Sequence, residues 1–121
     1  MKPLLKKDID TFISRFEGFI DAELRSIEIL SPTSLKITLA AQDGARGFDW
    51  ISISLELDGI NDARLLDDSK LVHVDMSEGI SILHEETMFA LAIGNYDNFS
   101  NVTDSVCYVK ASSLKYKEDI F

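Results

Sequence analysis

The 121 residues are 45% hydrophobic and 27% charged, a composition that fits one globular domain with a substantial core and excludes a disordered acidic tail. Twelve Lys and Arg stand against 21 Asp and Glu, a formal net charge of −9, and a field of that sign excludes a nucleic-acid binder, which needs a basic patch to meet phosphate. No apolar run approaches the roughly 18 residues of a membrane span, and Asp8 and Asp10 interrupt the N-terminal segment too early for a signal peptide, so the expected location is the cytoplasm.

In chain order, the first predicted element is a helix. Leu5, Ile9, Phe12, Ile13, Phe16 and Ile20 recur three and four apart, with Lys6, Asp10, Ser14 and Glu17 on the other side. Gly18 is placed to end it in a left-handed turn. The period then falls to two. Leu24–Leu30 predicts a strand with Ile27 and Ile29 inward, and Leu24, out of phase with them, predicts a bulge or a later start. Ser31–Ser34 is a turn, after which Leu35, Ile37, Leu39 and Ala41 alternate with Lys36, Thr38 and Ala40, so the two runs make an antiparallel hairpin. Ile51, Ile53, Leu55 and Leu57 alternate with Ser52, Ser54, Glu56 and Asp58, giving one buried and one wet face.

Asp58–Lys70 reads as an acidic loop with a short helical or extended piece at Ala63–Leu66. Strands are expected over Leu71–Asp75, Gly79–His84, Thr87–Gly94, Ser105–Ala111 and Ser113–Lys117, with Glu85 and Glu86 forming the turn after His84. Met88–Ile93 is apolar without alternation, the pattern of a strand covered on both faces and a natural seat for the helix. The expected architecture is α+β: an N-terminal helix packed on a curved antiparallel sheet of about seven strands, with residues 1–121 in one domain.

Motifs for chemistry are sparse. Gly-x-Ser-x-Gly is absent, and Gly44 and Gly47 lack the Gly-Lys-Ser/Thr ending of a phosphate loop. Asp97, Asn98, Asn101 and Asp104 share one loop but not calcium-loop spacing. Cys107 is a lone cysteine in a strand-like run, which predicts a buried, inert thiol. His73 and His84 are the only histidines, each close in sequence to carboxylates; a metal site or a general base would require both to converge with an acid.

The charge pattern says more. Asp43–Asp104 holds thirteen acids against Arg46, Arg64 and Lys70, a net of ten negative charges, and Leu71–Val109 contains no Lys or Arg. Such a field attracts cationic surfaces. Phe48 and Trp50 share the phase of Ser52 and Ser54, which places them on the wetter side of their strand, where exposed aromatics beside acids serve as interface anchors; Tyr96 and Phe99 form a second such pair. The basic residues Lys2, Lys6, Lys7, Lys110, Lys115 and Lys117 gather at the two ends, so a fold that joins the ends has one mildly basic side.

The runs FIDAELRSIEI (Phe19–Ile29), GISI (Gly79–Ile82), AIGNY (Ala92–Tyr96) and SSLKY (Ser112–Tyr116) give a layout that resembles small acidic stand-alone bacterial proteins, among them immunity proteins of toxin systems. The resemblance implies a cytoplasmic protein that binds and blocks one cognate toxin; it assigns no residue. The function expected from the sequence is thus non-enzymatic binding of a basic protein partner, without nucleic acid, membrane, metal or cofactor. The expected contact residues are Asp58, Asp62, Asp67, Asp68, Glu85 and Glu86, with Trp50 and Tyr96 as anchors. The alternative is a small metal- or ligand-binding domain or hydrolase-like enzyme built on His73 and His84.

Overall fold

Alternation of apolar and polar residues builds the frame. In the computed structural model, which describes residues 1–120, β2 (Glu23–Ser31) and β3 (Ser34–Asp43) form the expected hairpin, closed by Pro32 and Thr33. The expected irregularity after Leu24 is a register shift between Leu24 and Ser26. β4 (Asp49–Arg64) follows, then β5 (Ile80–Glu85), β6 (Met88–Ile93) and β7 (Tyr108–Ile120). The strands run antiparallel in the order β2-β3-β4-β7-β6-β5, and a two-residue β1 (Lys2–Pro3) adds to the free side of β7 at Lys115 and Tyr116, which makes a seven-stranded open sheet. The fold is α+β, with one short N-terminal helix on that sheet.

The inner face carries the core. Leu35, Ile37 and Leu39 of β3, Ile51, Ile53, Leu55 and Leu57 of β4, Phe89 and Leu91 of β6 and Val109 and Leu114 of β7 are all buried there. The helix that covers them is shorter than its apolar stripe: α1 spans Ile9–Arg15 and is flanked by 3-10 turns at Lys6–Asp8 and Glu17–Phe19. Gly18 does turn left-handed, at φ 67°, and that turn folds Phe19 back beside Phe16 and Phe12 at ring separations of 5.2 and 5.9 Å. Three phenyl rings fill the space under the sheet, and the stripe's ends, Leu5 and Ile20, stay in water.

β6 is buried on both faces, as its unbroken apolar run predicts. Phe89, Leu91 and Ile93 join the main core, while Ala90 and Ala92 pack with Val102 and Tyr108 beneath the loop that carries Tyr96 and Phe99. Ser105 ties that loop down: its Oγ lies 2.6 Å from the Ile93 carbonyl and accepts the Cys107 N–H.

Four segments depart from the sequence expectation. The loop expected over Asp58–Lys70 begins later, because β4 continues to Arg64 after a left-handed Gly59 and a register shift between Ile60 and Asp62. Tyr108, Val109 and Lys110 of β7 supply its partners there, which alternation cannot reveal because Asn61–Arg64 are exposed. Leu71–Asp75 is no strand. Local hydrogen bonds from the Lys70 and Val74 amides to the Asp67 and Leu71 carbonyls hold Asp68–His73 in 3-10 turns, with Leu71 buried and Val72 outside. The β5–β6 turn is Glu86-Thr87, since Glu85 still pairs with Met88. The two strands expected after Ser105 are one, from Tyr108 onward.

One charged side chain is buried among the described residues. Asp43, at the end of β3, has no exposed surface. It accepts two hydrogen bonds from Arg15, Nε at 2.8 Å and Nη2 at 2.7 Å, and a third from the Ala45 amide at 2.9 Å. Arg46 stands 3.3 Å away, and Arg15 also pairs with Glu118 of β7. Arg15's hydrogen bonds hold the Asp43 carboxyl below the usual carboxylate range against the opposing effect of burial.

Asp43→Asn should lower the unfolding free energy by about 3 kcal/mol at pH 7, the cost of leaving a partly buried guanidinium without its partner. The folded pKa lies below the unfolded one, so this contribution is complete above about pH 4 to 5 and disappears as pH falls through the folded value. Urea melts of both proteins from pH 7 down should therefore converge; a constant gap contradicts the assignment. Gly79, at φ 71°, lies so close to the Gly18 carbonyl that a Cβ would meet it at 1.9 Å. Gly79→Ala should cost about 2 kcal/mol or more in the same assay.

Candidate functional site: an acidic side with an apolar groove

The fold sorts charge. The ion pairs among the described residues are Arg15 with Asp43 and Glu118, Arg46 with Asp43, Arg25 with Glu23, Lys36 with Glu28 and Lys117 with Asp119. All involve the helix and the β2-β3-β4-β7 side of the sheet. Of the thirteen acids in Asp43–Asp104, Asp43 alone has a cationic partner among the described residues. Arg64, in the middle of that stretch, donates instead to the carbonyls of Thr103 and Ser105, with its guanidinium 5.6 Å from the Tyr108 ring centre. The β1–β7 pairing sets Lys2 opposite Tyr116 and Pro3 opposite Lys115, which brings the N-terminal strand to β7 with Lys2 and Lys115 on opposite faces. Lys110 stands 4.9 Å from the Phe99 ring centre, so the terminal bases are not gathered on one face.

The segment after β4 creates a groove on the acidic side. Leu66, Val74, Ile93, Gly94, Tyr96 and Val106 give it an apolar surface, and Asp75, Glu78 and Asp104 contribute carboxylates. Lys70 and His73 also line it, and its volume is about 510 Å³. Asp75 accepts the Ser77 amide at 2.9 Å, which holds its carboxyl below the usual range. A second depression, lined by Asp21 to Arg25, Leu71, Val72 and Met76, shares Val74 with the first. Val72 and Val106 are 81% and 60% exposed, so this face presents apolar side chains among acids.

The residues expected to contact a partner do not form one patch. Ile60, Ala111, Phe89 and His84 lie in register across β4, β7, β6 and β5, which puts Asp58, Glu85 and Glu86 at the same end of the sheet. Trp50 is 42% exposed but begins β4, eight residues from Asp58, about 26 Å along the strand. Asp62 accepts the Tyr108 hydroxyl at 3.1 Å, and this bond together with burial raises the Tyr108 pKa. Asp67 and Asp68 open the 3-10 turns that lead into the groove, and Tyr96 stands half-buried in its wall. Of the anchors and acids expected to make contact, the groove takes Tyr96 alone; Asp75, Glu78, Asp104 and Val106 are added by the structure. The gap without Lys or Arg already contained those three acids, but only the fold of 66–78 over the ends of β6 and β7 groups them.

The histidines do not meet. His73 lines the groove beside Glu78 and Gly94, at the end of β5 where Ile80 pairs with Ile93. His84 is four residues from Ile80 along that strand, about 13 Å from it, edge-on to Phe89 at 4.6 Å, with its Nδ1 buried and without a hydrogen-bond partner. Among the described residues no three His, Cys, Asp or Glu side chains are grouped to hold a metal ion, and no helix is long and apolar enough to cross a membrane.

Cys107 is 1% exposed, and burial pushes its thiol up to about 11. Its reaction with a thiol-specific disulfide reagent at pH 8 should be slow in the native protein and complete within minutes in 8 M urea. Rapid native reaction contradicts the buried placement. Compared with protein-family models, with curated proteins and with solved structures, the chain matches none.

Proposed function

We propose that this chain is a non-enzymatic binding protein, acting in the cytoplasm as an immunity-type inhibitor that receives a basic protein on its acidic side. One observation supports this reading above the others: of the acids in Asp43–Asp104, only Asp43 forms an ion pair among the described residues. Carboxylates left facing water across half of a small protein repel one another, and a cationic partner relieves that repulsion while being steered by the same field. Exposed Val72 and Val106 on this side supply apolar contact, which charge alone does not.

Immobilised protein should capture a basic polypeptide from a lysate of its source cells at low salt and release it at high salt. Replacing Asp67, Asp68, Glu85 and Glu86 by Ser should slow association with that partner about tenfold at low ionic strength and flatten its salt dependence. An unchanged on-rate and salt slope would contradict the steering role of the acidic side.

A further inference from the structure

We propose that the groove between Val74, Tyr96 and Val106 is the docking site for an arginine side chain of a cationic partner, with the stem on the apolar surface and the guanidinium facing Asp75, Glu78 and Asp104. This rests on the binding role proposed above and narrows it to one place and one side chain.

The groove combines three features that an acidic surface alone lacks. Its surface is apolar, formed by Leu66, Val74, Ile93 and the 60% exposed Val106. Its aromatic wall is built into the fold. Gly94, at φ 116°, leaves room for the Tyr96 ring, because a Cβ there would stand 2.9 Å from Cε2. Ser81 Oγ donates to the Gly94 carbonyl at 2.7 Å and accepts the Tyr96 amide at 2.9 Å, so the backbone that carries the ring is pinned to β5. Finally, Asp75, Glu78 and Asp104 have no ion-pair partner among the described residues, whereas Glu23, Glu28, Glu118 and Asp119 on the β2-β3-β4-β7 side are paired. Lys70 is the one Lys or Arg in the lining, and it leaves the three carboxylates in excess.

The occupant follows from this chemistry. A bare metal ion needs converging ligands, and no such group is present among the described residues. An ammonium is strongly hydrated and gains little from an apolar floor. A guanidinium is more weakly hydrated, stacks on a tyrosine face and meets carboxylates through several N–H groups, and its three-methylene stem covers apolar surface. The groove therefore selects arginine over lysine.

The test is a titration of the isotopically labelled full chain with three short peptides, acetyl-Leu-Arg-Leu-amide and its lysine and citrulline counterparts, followed by amide chemical shifts. The arginine peptide should perturb Ser77, Gly94, Tyr96 and Val106 in a saturable manner. The lysine peptide should bind more weakly, and the citrulline peptide should lose the effect. Asp75→Asn with Glu78→Gln should abolish the response, Tyr96→Ala should weaken it, and Asp8→Asn with Asp10→Asn, on the helix side, should leave it intact, with the unliganded spectra reporting that each variant is folded. Equal binding of arginine and lysine, perturbation centred on Asp58 and Glu85, or no perturbation would each overturn the groove assignment. Salt-released capture of a basic partner whose binding survives Asp75→Asn with Glu78→Gln would then keep the broader binding role while removing the groove; absence of any such partner would remove the broader role.

Discussion

The pairing of Arg15 with Asp43 is the constraint on which the rest of the structure depends. It is the one place where the described chain buries a charged side chain fully, and the burial is tolerable because the carboxylate receives a forked guanidinium and a backbone amide together. The same guanidinium reaches Glu118, so a single side chain at the C-terminal end of α1 ties the helix to the end of β3 and to β7. That fixes where the helix lies on the sheet. Phe12, Phe16 and Phe19 can then fill the inner face, and Gly18 can turn against Gly79, which starts the segment leading into β5.

With the helix fixed, the sheet order distributes the charge. β7 is central: it pairs with β4 along most of its length, with β6 at one end and with β1 at the other. The β1 contact sets Lys2 opposite Tyr116, and the cross-strand row Glu28, Lys36, Glu56 and Lys115 mixes signs on the outer face of the sheet. Bases and their partners are thereby collected on the β2-β3-β4-β7 side. The chain from Asp67 to Asp104 supplies the other side, where acids outnumber bases and apolar residues such as Val72 and Val106 break the surface. Segregation of this kind costs self-repulsion in the free protein and favours a partner of opposite sign.

The sequence made the strands with one wet face legible. Ile51 to Leu57 and Leu35 to Ala41 alternate because one side of each meets the core, and Met88–Ile93 loses its alternation because Val102 and Tyr108 cover its second face. Legibility fails where burial is not the cause of structure. Asn61–Arg64 is strand because β7 offers hydrogen-bonding partners, and its side chains are exposed. Leu71–Asp75 has strand-like composition but closes on itself through local carbonyls. Excess acidity in the middle of the chain was equally plain in the residues. Its grouping around Tyr96 and Val106 was not, since it arises from the packing of 66–78 against strand ends far away in sequence.

The central claim is that the acids of Asp49–Asp104 form no ion pairs among the described residues, and the most direct measurement is the dependence of stability on sodium chloride. Urea unfolding at pH 7 should show stability rising as salt increases from about 10 to 300 mM, because screening relieves repulsion among the unpaired carboxylates more than it weakens the shielded Arg15–Asp43 pair. Stability that stays flat or falls over this range would mean that the carboxylates are compensated inside the fold, and the account of an acidic side open to a cationic partner would be wrong.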